Sequence, residues 1–135
     1  MTLAEALFWA TLAHFVGDYV LQSHWMATSK TSSWLPAIVH AITYGVPFLF
    51  VTQNLVAVAV IVGTHAVIDR YRLARYLVWL KNFSGPRGSN PSWSACSATG
   101  YPPETPAWLA VGLMIVVDNT LHILINSVTI AATWP

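Results

Sequence analysis

Histidine and aspartate recur along this chain in pairs that are separated by four residues. The chain has only five histidines and five acidic residues, and scattering them at random would give about 0.4 such pairs. Four residues make about one helical turn, so both members of a pair lie on the same face of a helix. The three pairs are His14 with Asp18, His65 with Asp69, and Asp118 with His122.

Imidazole and carboxylate groups together suit two kinds of chemistry. They are ligands for Zn²⁺, Mn²⁺ or Fe²⁺, and they can relay protons because histidine titrates near neutral pH while aspartate stays ionised. A covalent nucleophile is not indicated, since neither Ser23 nor Cys96 is paired with a histidine by spacing. The candidate metal ligands are His14, Asp18, His40, His65, Asp69, Asp118 and His122.

The composition indicates which elements carry these residues. More than half of the chain is apolar and only 8% is charged, whereas a soluble domain has about 25% charged residues. A membrane span needs about 20 mostly apolar residues, and four stretches approach that pattern: 3–22, 34–52, 55–69 and 106–129. The prediction is an all-α fold, with residues 1–135 forming a single transmembrane domain that is an integral membrane four-helix bundle.

Two segments fall outside these spans. Residues 70–81 have an apolar and a basic face, which predicts an amphipathic extension in the membrane interface. Residues 82–105 are rich in serine, proline and glycine without a helical period, which predicts a loop. The arginines of this region, Arg70, Arg72 and Arg75, are candidates for binding a phosphate or lipid head group.

The basic residues predict the orientation of the chain. In a four-span topology they all fall on one side: Lys30, Arg70, Arg72, Arg75, Lys81 and Arg87. The positive-inside rule makes that side cytoplasmic, so both termini should lie outside an inner (cytoplasmic) membrane. These residues are not clustered as a nucleic-acid footprint would be, so we expect the lipid bilayer, a lipid-like ligand or a second copy of the chain as partners, and no nucleic acid.

Each predicted span has one polar face, which lipid cannot accommodate. Thr43 and Tyr44 share a side with His40, while Gln22 and Asn126 extend the stripes of spans one and four. These faces should therefore point at one another inside the bundle. At about 1.5 Å per residue, most of the candidate ligands reach a similar depth near the cytoplasmic side. His122 falls deeper on this count, where it could orient Asp118 or lie behind the metal ligands.

Several strings of residues resemble a family known as domain of unknown function 3307, which consists of small bacterial and phage membrane proteins. The resemblance rests on the string HFVGDYVLQ at 14–22, the string THAVID at 64–69 and the string DNTLH at 118–122, together with Trp25, Met26, Lys30 and His40. It leaves out the loop 82–105, and Asn119 stands where the family usually has glutamine. The resemblance implies a four-helix membrane fold and supplies no established activity.

The sequence thus favours a multi-pass membrane protein with an intramembrane His/Asp cluster that binds a divalent metal and hydrolyses a lipid-like substrate by activating a bound water. Two alternatives remain open. One is a non-enzymatic structural or interaction protein, such as a phage protein that alters the host envelope, in which the polar residues only lock the helices together. The other is a path for protons or cations along the polar stripe.

Overall fold

The computed structural model describes residues 1–86 and 90–135, and within them it contains helices and turns but no strand. The all-α prediction is confirmed. The predicted cytoplasmic residue Arg87 lies outside the described residues. The α-helices are α1 (Leu3–Phe15), α2 (His24–Ser29), α3 (Trp34–Gly45), α4 (Leu55–Tyr71), α5 (Ala74–Lys81), α6 (Trp93–Cys96) and α7 (Ala107–Thr133). The shorter segments are a π-helical turn at Val16–Val20 and 3-10 turns at Val46–Phe50 and Asn82–Ser84.

The chain divides into two compact units. The first unit contains Met1–Tyr71 and His122–Pro135, and the second contains Arg72–Leu121. Helix α7 contributes its final residues, from His122 onward, to the first unit. Six of the seven predicted ligands belong to the first unit, and Asp118 belongs to the second.

Small residues line the buried face of α1 and let other backbones approach closely. Ala6, Ala10 and Ala13 are buried at a spacing of three or four residues, and Gly17 continues the stripe into the π-helical turn. A Cβ atom on Gly17 would lie 2.5 Å from the ring of Tyr44 and 3.1 Å from its backbone. The absence of a side chain at this glycine is therefore what allows α1 and α3 to pack at the level of the polar residues.

Helices α3 and α4 form a hairpin that supplies most of the polar cluster. Helix α3 changes to 3-10 geometry where Pro47 lacks the amide hydrogen that would continue the α-helix. In the short turn that follows, the side chain of Asn54 accepts hydrogen bonds from the amides of Val56 and Ala57 and so caps α4. The buried positions of α4 include Ala57, Ile61, His65 and Asp69, which recur every four residues and define its inner face.

The structure describes one helix, α7, that is long and apolar enough to cross a membrane, and it adds a shorter apolar helix at Trp34–Phe50. The other predicted spans are also helical but shorter: the first ends at Val20 and the third covers 17 residues. At 1.5 Å per residue such helices reach only about 26 Å, which is less than the bilayer core of about 30 Å. The four-span membrane bundle therefore stays a prediction.

The second unit contains the segment that the sequence predicted to be a loop. Part of it is helical, since it contains α6. Trp93 of α6 stacks on Tyr76 of α5 with ring centroids 4.5 Å apart. Gly100 has a φ of 85° and packs against the backbone of α5, where a side chain would collide with Arg75. Burial, together with the nearby Glu104, raises the pKa of the Cys96 thiol, which fits the expectation that this cysteine is not a nucleophile.

Candidate metal centre

Four side chains of the first unit bring one polar atom each to a common point. They are Asp18 from the π-helical turn, His40 from α3, and His65 and Asp69 from α4. All four are buried, with no more than 7% of any residue exposed. Their facing atoms lie within 4.8 Å of one another. Four of the seven predicted ligands thus converge on one point.

The distances between the facing atoms are nearly equal. Nε2 of His40 and Nε2 of His65 are 3.0 Å apart. Oδ1 of Asp18 lies 3.2 Å from the first nitrogen and 3.4 Å from the second, and Oδ2 of Asp69 lies 3.3 Å and 3.2 Å from them. A tetrahedral ion with ligands at about 2.0–2.1 Å holds those ligands about 3.3 Å apart. These five separations thus match those between the ligands of one such ion.

The hydrogens of the two imidazole rings cannot serve all of these contacts. An imidazole nitrogen either donates one hydrogen or accepts one, yet Nε2 of His40 has a carboxylate oxygen on each side and the nitrogen of His65 in front of it. At most one of these three contacts can use a hydrogen on His40. A cation at the centre of the four atoms would be attracted to all of them at once.

Local geometry explains how these residues come to face one another. His65 and Asp69 are one turn apart on α4, so their side chains point the same way. Asp18 sits in a π-helical turn, where the amide of Leu21 bonds the carbonyl of Val16 five residues earlier. Such turns widen a helix by one residue and are frequent at functional sites. The turn, together with Gly17, leaves Asp18 buried against α3.

Two further predicted ligands, His14 and His122, contact the backs of the two carboxylates. Nδ1 of His14 lies 3.4 Å from Oδ2 of Asp18, and Nε2 of His122 lies 3.4 Å from Oδ1 of Asp69. These are the oxygens that do not face the centre. The other ring nitrogen of His122 is 3.3 Å from Nδ1 of His65. His14 is therefore placed to orient Asp18, and His122 to orient Asp69 and His65, as residues behind metal ligands do.

Tyr44 and Asn126 join this network, although the sequence identified them only as members of polar stripes. The hydroxyl of Tyr44 is 3.0 Å from Nδ1 of His14 and accepts a hydrogen bond of 2.6 Å from the amide nitrogen of Asn126. The ring of Tyr44 stacks on His65 with centroids 3.7 Å apart. The sequence signal for both was a separation of four residues from a histidine: Asn126 follows His122 by four, and Tyr44 follows His40 by four.

Lys30 is the residue that sequence reasoning missed as a member of this site. The sequence identified it as a marker of the cytoplasmic side and as part of the family resemblance, but not as a site residue, because it lies in a turn with no helical spacing to any histidine. Its ammonium group is 2.7 Å from Oδ2 of Asp69 and 3.2 Å from Nε2 of His40. The two carboxylates of Asp18 and Asp69 exceed the single charge of this lysine, so the buried cluster carries a net negative charge while its histidines are neutral.

The remaining predicted site residues are three arginines and Asp118. Arg70 donates to the backbone carbonyls of Thr31 and Ser32. In the second unit, Arg72 donates to the carbonyl of Ala98 and Arg75 to that of Ser97. Their binding of a phosphate or lipid head group stays a prediction. The half-buried Asp118 belongs to the second unit, and its role as a metal ligand also stays a prediction.

Comparison with known proteins identifies a family whose function is unknown. A family model whose description is "Protein of unknown function (DUF3307)" matches residues 6–88. That range contains Asp18, Lys30, His40, His65 and Asp69, and so the whole central cluster with its lysine. No curated protein and no solved structure matches the chain.

Proposed function

This chain belongs to the DUF3307 family of proteins of unknown function, and we propose that it is an integral membrane protein that binds one divalent metal ion inside its helical core. The observation that carries the proposal is the near-equal spacing of four buried donor atoms, from Asp18, His40, His65 and Asp69. Five of their six separations are 3.0–3.4 Å. A divalent ion would also offset the net negative charge that these groups bury.

The donor set favours zinc among the three metals that the sequence suggested. Two imidazoles and two carboxylates are ligands that Zn²⁺ accepts in tetrahedral geometry. Mn²⁺ binds more weakly to a given nitrogen and oxygen site, in the order that divalent ions follow, and it favours six oxygen-rich ligands. Fe²⁺ sites of this ligand type use one carboxylate and leave positions open.

The same donor count supports binding more than catalysis. Zinc sites that activate water have three protein ligands and one open position, whereas sites with four protein ligands are closed. Hydrolysis of a lipid-like substrate would require one of the four groups to leave the ion, or a fifth ligand to join it. We therefore propose metal binding as the function and treat the hydrolysis as a secondary hypothesis that needs its own activity measurement.

Membrane insertion of the first unit is supported by its apolar surface. Phe50 is 86% exposed, Leu55 73% and Val20 72%, and further large apolar side chains are exposed along α1, α3 and α4. Soluble monomers seldom expose so many large apolar side chains to water. In a bilayer the same side chains would contact lipid, while the polar cluster would stay inside the bundle.

Metal analysis of the purified protein tests the proposal. The protein is expressed in zinc-supplemented medium, purified in a mild detergent and measured by elemental analysis. We expect about one zinc per chain, and we expect His65→Ala to contain almost none. His24→Ala is the matched control, because His24 is exposed at the start of α2 and outside the cluster; this variant should keep its metal. A wild-type protein that contains no metal, and that added Zn²⁺ does not stabilise, would exclude the function.

A further inference from the structure

The ammonium group of Lys30 lies against the same two atoms that the proposed metal would use. It is 2.7 Å from Oδ2 of Asp69 and 3.2 Å from Nε2 of His40. Both atoms belong to the four that converge. An ion held about 2.0 Å from Oδ2 of Asp69 would therefore lie no more than about 5 Å from this positive charge. Lysine and a divalent ion would repel each other strongly at that distance inside a buried site.

The side chain of Lys30 has a route out of the cluster. It is 17% exposed, whereas the side chain of its partner Asp69 is 4% exposed. Lysine has a flexible stem of four carbons, and Lys30 lies at the C-terminal end of the short helix α2, which contains no buried residue. The ammonium group can thus reach water by rotating its own stem, without displacing a packed helix.

The turn that carries Lys30 is attached to α4 beside the cluster. Arg70 follows Asp69 in sequence, and its guanidinium group donates to the carbonyls of Thr31 and Ser32. This guanidinium also lies 5.7 Å from the ring centroid of Trp34 at the start of α3. These contacts hold the backbone of the turn in place, so an outward movement of the lysine need involve only its side chain.

We propose that Lys30 is a built-in competitor for the metal, which neutralises Asp69 when the site holds no ion and turns outward when a divalent cation binds. The inference rests on the proposed metal site and adds its regulation. It predicts that the lysine lowers the affinity of the site for metal while stabilising the metal-free protein. A lysine that served only as a structural ion pair would stabilise the protein whether or not metal was bound.

A neutral replacement of Lys30 tests the competition. Zn²⁺ affinity is measured by competition with a chromogenic chelator for the full-length protein in detergent, and melting temperature is measured with and without Zn²⁺. We expect Lys30→Met to bind Zn²⁺ about 10-fold more tightly or better, and to melt at a lower temperature than wild type when metal-free. Lys81→Met is the matched control, because it removes the same charge from a lysine that lies over the Tyr101 ring in the second unit; its affinity should equal that of wild type.

The outcomes separate this inference from the proposed function. If wild type and Lys30→Met bind Zn²⁺ equally well, or the variant binds less tightly, the proposed competition by Lys30 is wrong, while the proposed metal site is still supported. If neither binds, the metal site is wrong and the competition falls with it. If only the variant binds, both are supported, because the lysine then blocks the site in the native chain.

A second measurement uses the native chain and does not depend on how the variant folds. The chain contains two lysines, Lys30 and Lys81, so reductive methylation followed by peptide mass spectrometry can follow each one. We expect Zn²⁺ to increase the labelling rate of Lys30 several-fold relative to Lys81, because the amine moves from the cluster into water. An unchanged ratio, in protein shown to hold zinc, would overturn the proposal.

Discussion

Nε2 of His40 and Nε2 of His65 lie 3.0 Å apart in the interior of the first unit, with a carboxylate oxygen of Asp18 near both and a carboxylate oxygen of Asp69 near both. At most one hydrogen fits between the two nitrogens. Without a metal, each nitrogen can donate to a carboxylate oxygen or to the other ring; with the proposed metal bound, the lone pairs of both would face a shared cation. Because two helices contribute the two rings, a shared ion would join α3 to α4 directly.

The first prediction is that His40 and His65 bind the same metal ion. Each of His40→Ala and His65→Ala should abolish the rise in melting temperature that Zn²⁺ produces, since that rise depends on binding to the folded state. The double variant should lose no more than either single variant, because one ion cannot be lost twice. Thermal melts with and without Zn²⁺ measure this. Singles that each lose half of the rise would mean that the two histidines do not share one ion.

The second prediction concerns the small residue that lets α1 and α3 meet. Gly17→Ala would place its Cβ atom 2.5 Å from the Tyr44 ring and 3.1 Å from its backbone, so it should reduce the free energy of unfolding by about 1–3 kcal/mol. Zinc affinity should fall as well, because Asp18 is the next residue. Gly63→Ala is the control, since its Cβ atom would meet nothing within 4 Å and alanine is the better helix former. Chemical denaturation in detergent should find this control at least as stable as wild type.

The third prediction separates the support network from the metal ligands. Tyr44→Phe removes the hydroxyl group that contacts His14 and accepts a hydrogen bond from Asn126. We expect a loss of about 1–3 kcal/mol in stability, because buried polar groups lose a partner, while the zinc content stays near one per chain. Tyr71→Phe is the control, as this ring is half exposed. Loss of zinc from Tyr44→Phe would assign the hydroxyl a direct part in holding the ion.

The fourth prediction is the membrane topology, which rests on the distribution of basic residues. A reporter fused after Pro135 should be active only in the periplasm, and a reporter inserted in the segment 82–105 should be active only in the cytoplasm. The two fusions therefore report opposite sides if an odd number of spans separates them. Fusions that report the same side would reject the predicted four-span arrangement.

His122 shows the limit of counting residues along each span, although the sequence did name it as a site residue. Counting along the last span placed it deeper than the other ligands, yet in the structure it contacts both His65 and Asp69. The count assumed that every helix begins at a common level. Helix α7 has 27 residues, which is about 40 Å and exceeds the length of its neighbours, so positions counted from its first residue do not correspond to positions counted on a shorter helix.

The sequence alone determined that this chain is helical and that its polar stripes should face inward. Both follow from local properties of a helix, namely its hydrophobic content and the recurrence of polar residues every four positions. It therefore identified Asp18, His40, His65 and Asp69 among seven candidate ligands, without separating these four from the other three. The tertiary structure decided how that cluster is arranged, because contact between helices depends on their packing and not on spacing along either one. The place of Lys30 beside Asp69 depends on a turn that folds back over the site, and no periodicity in the chain encodes the path of that turn.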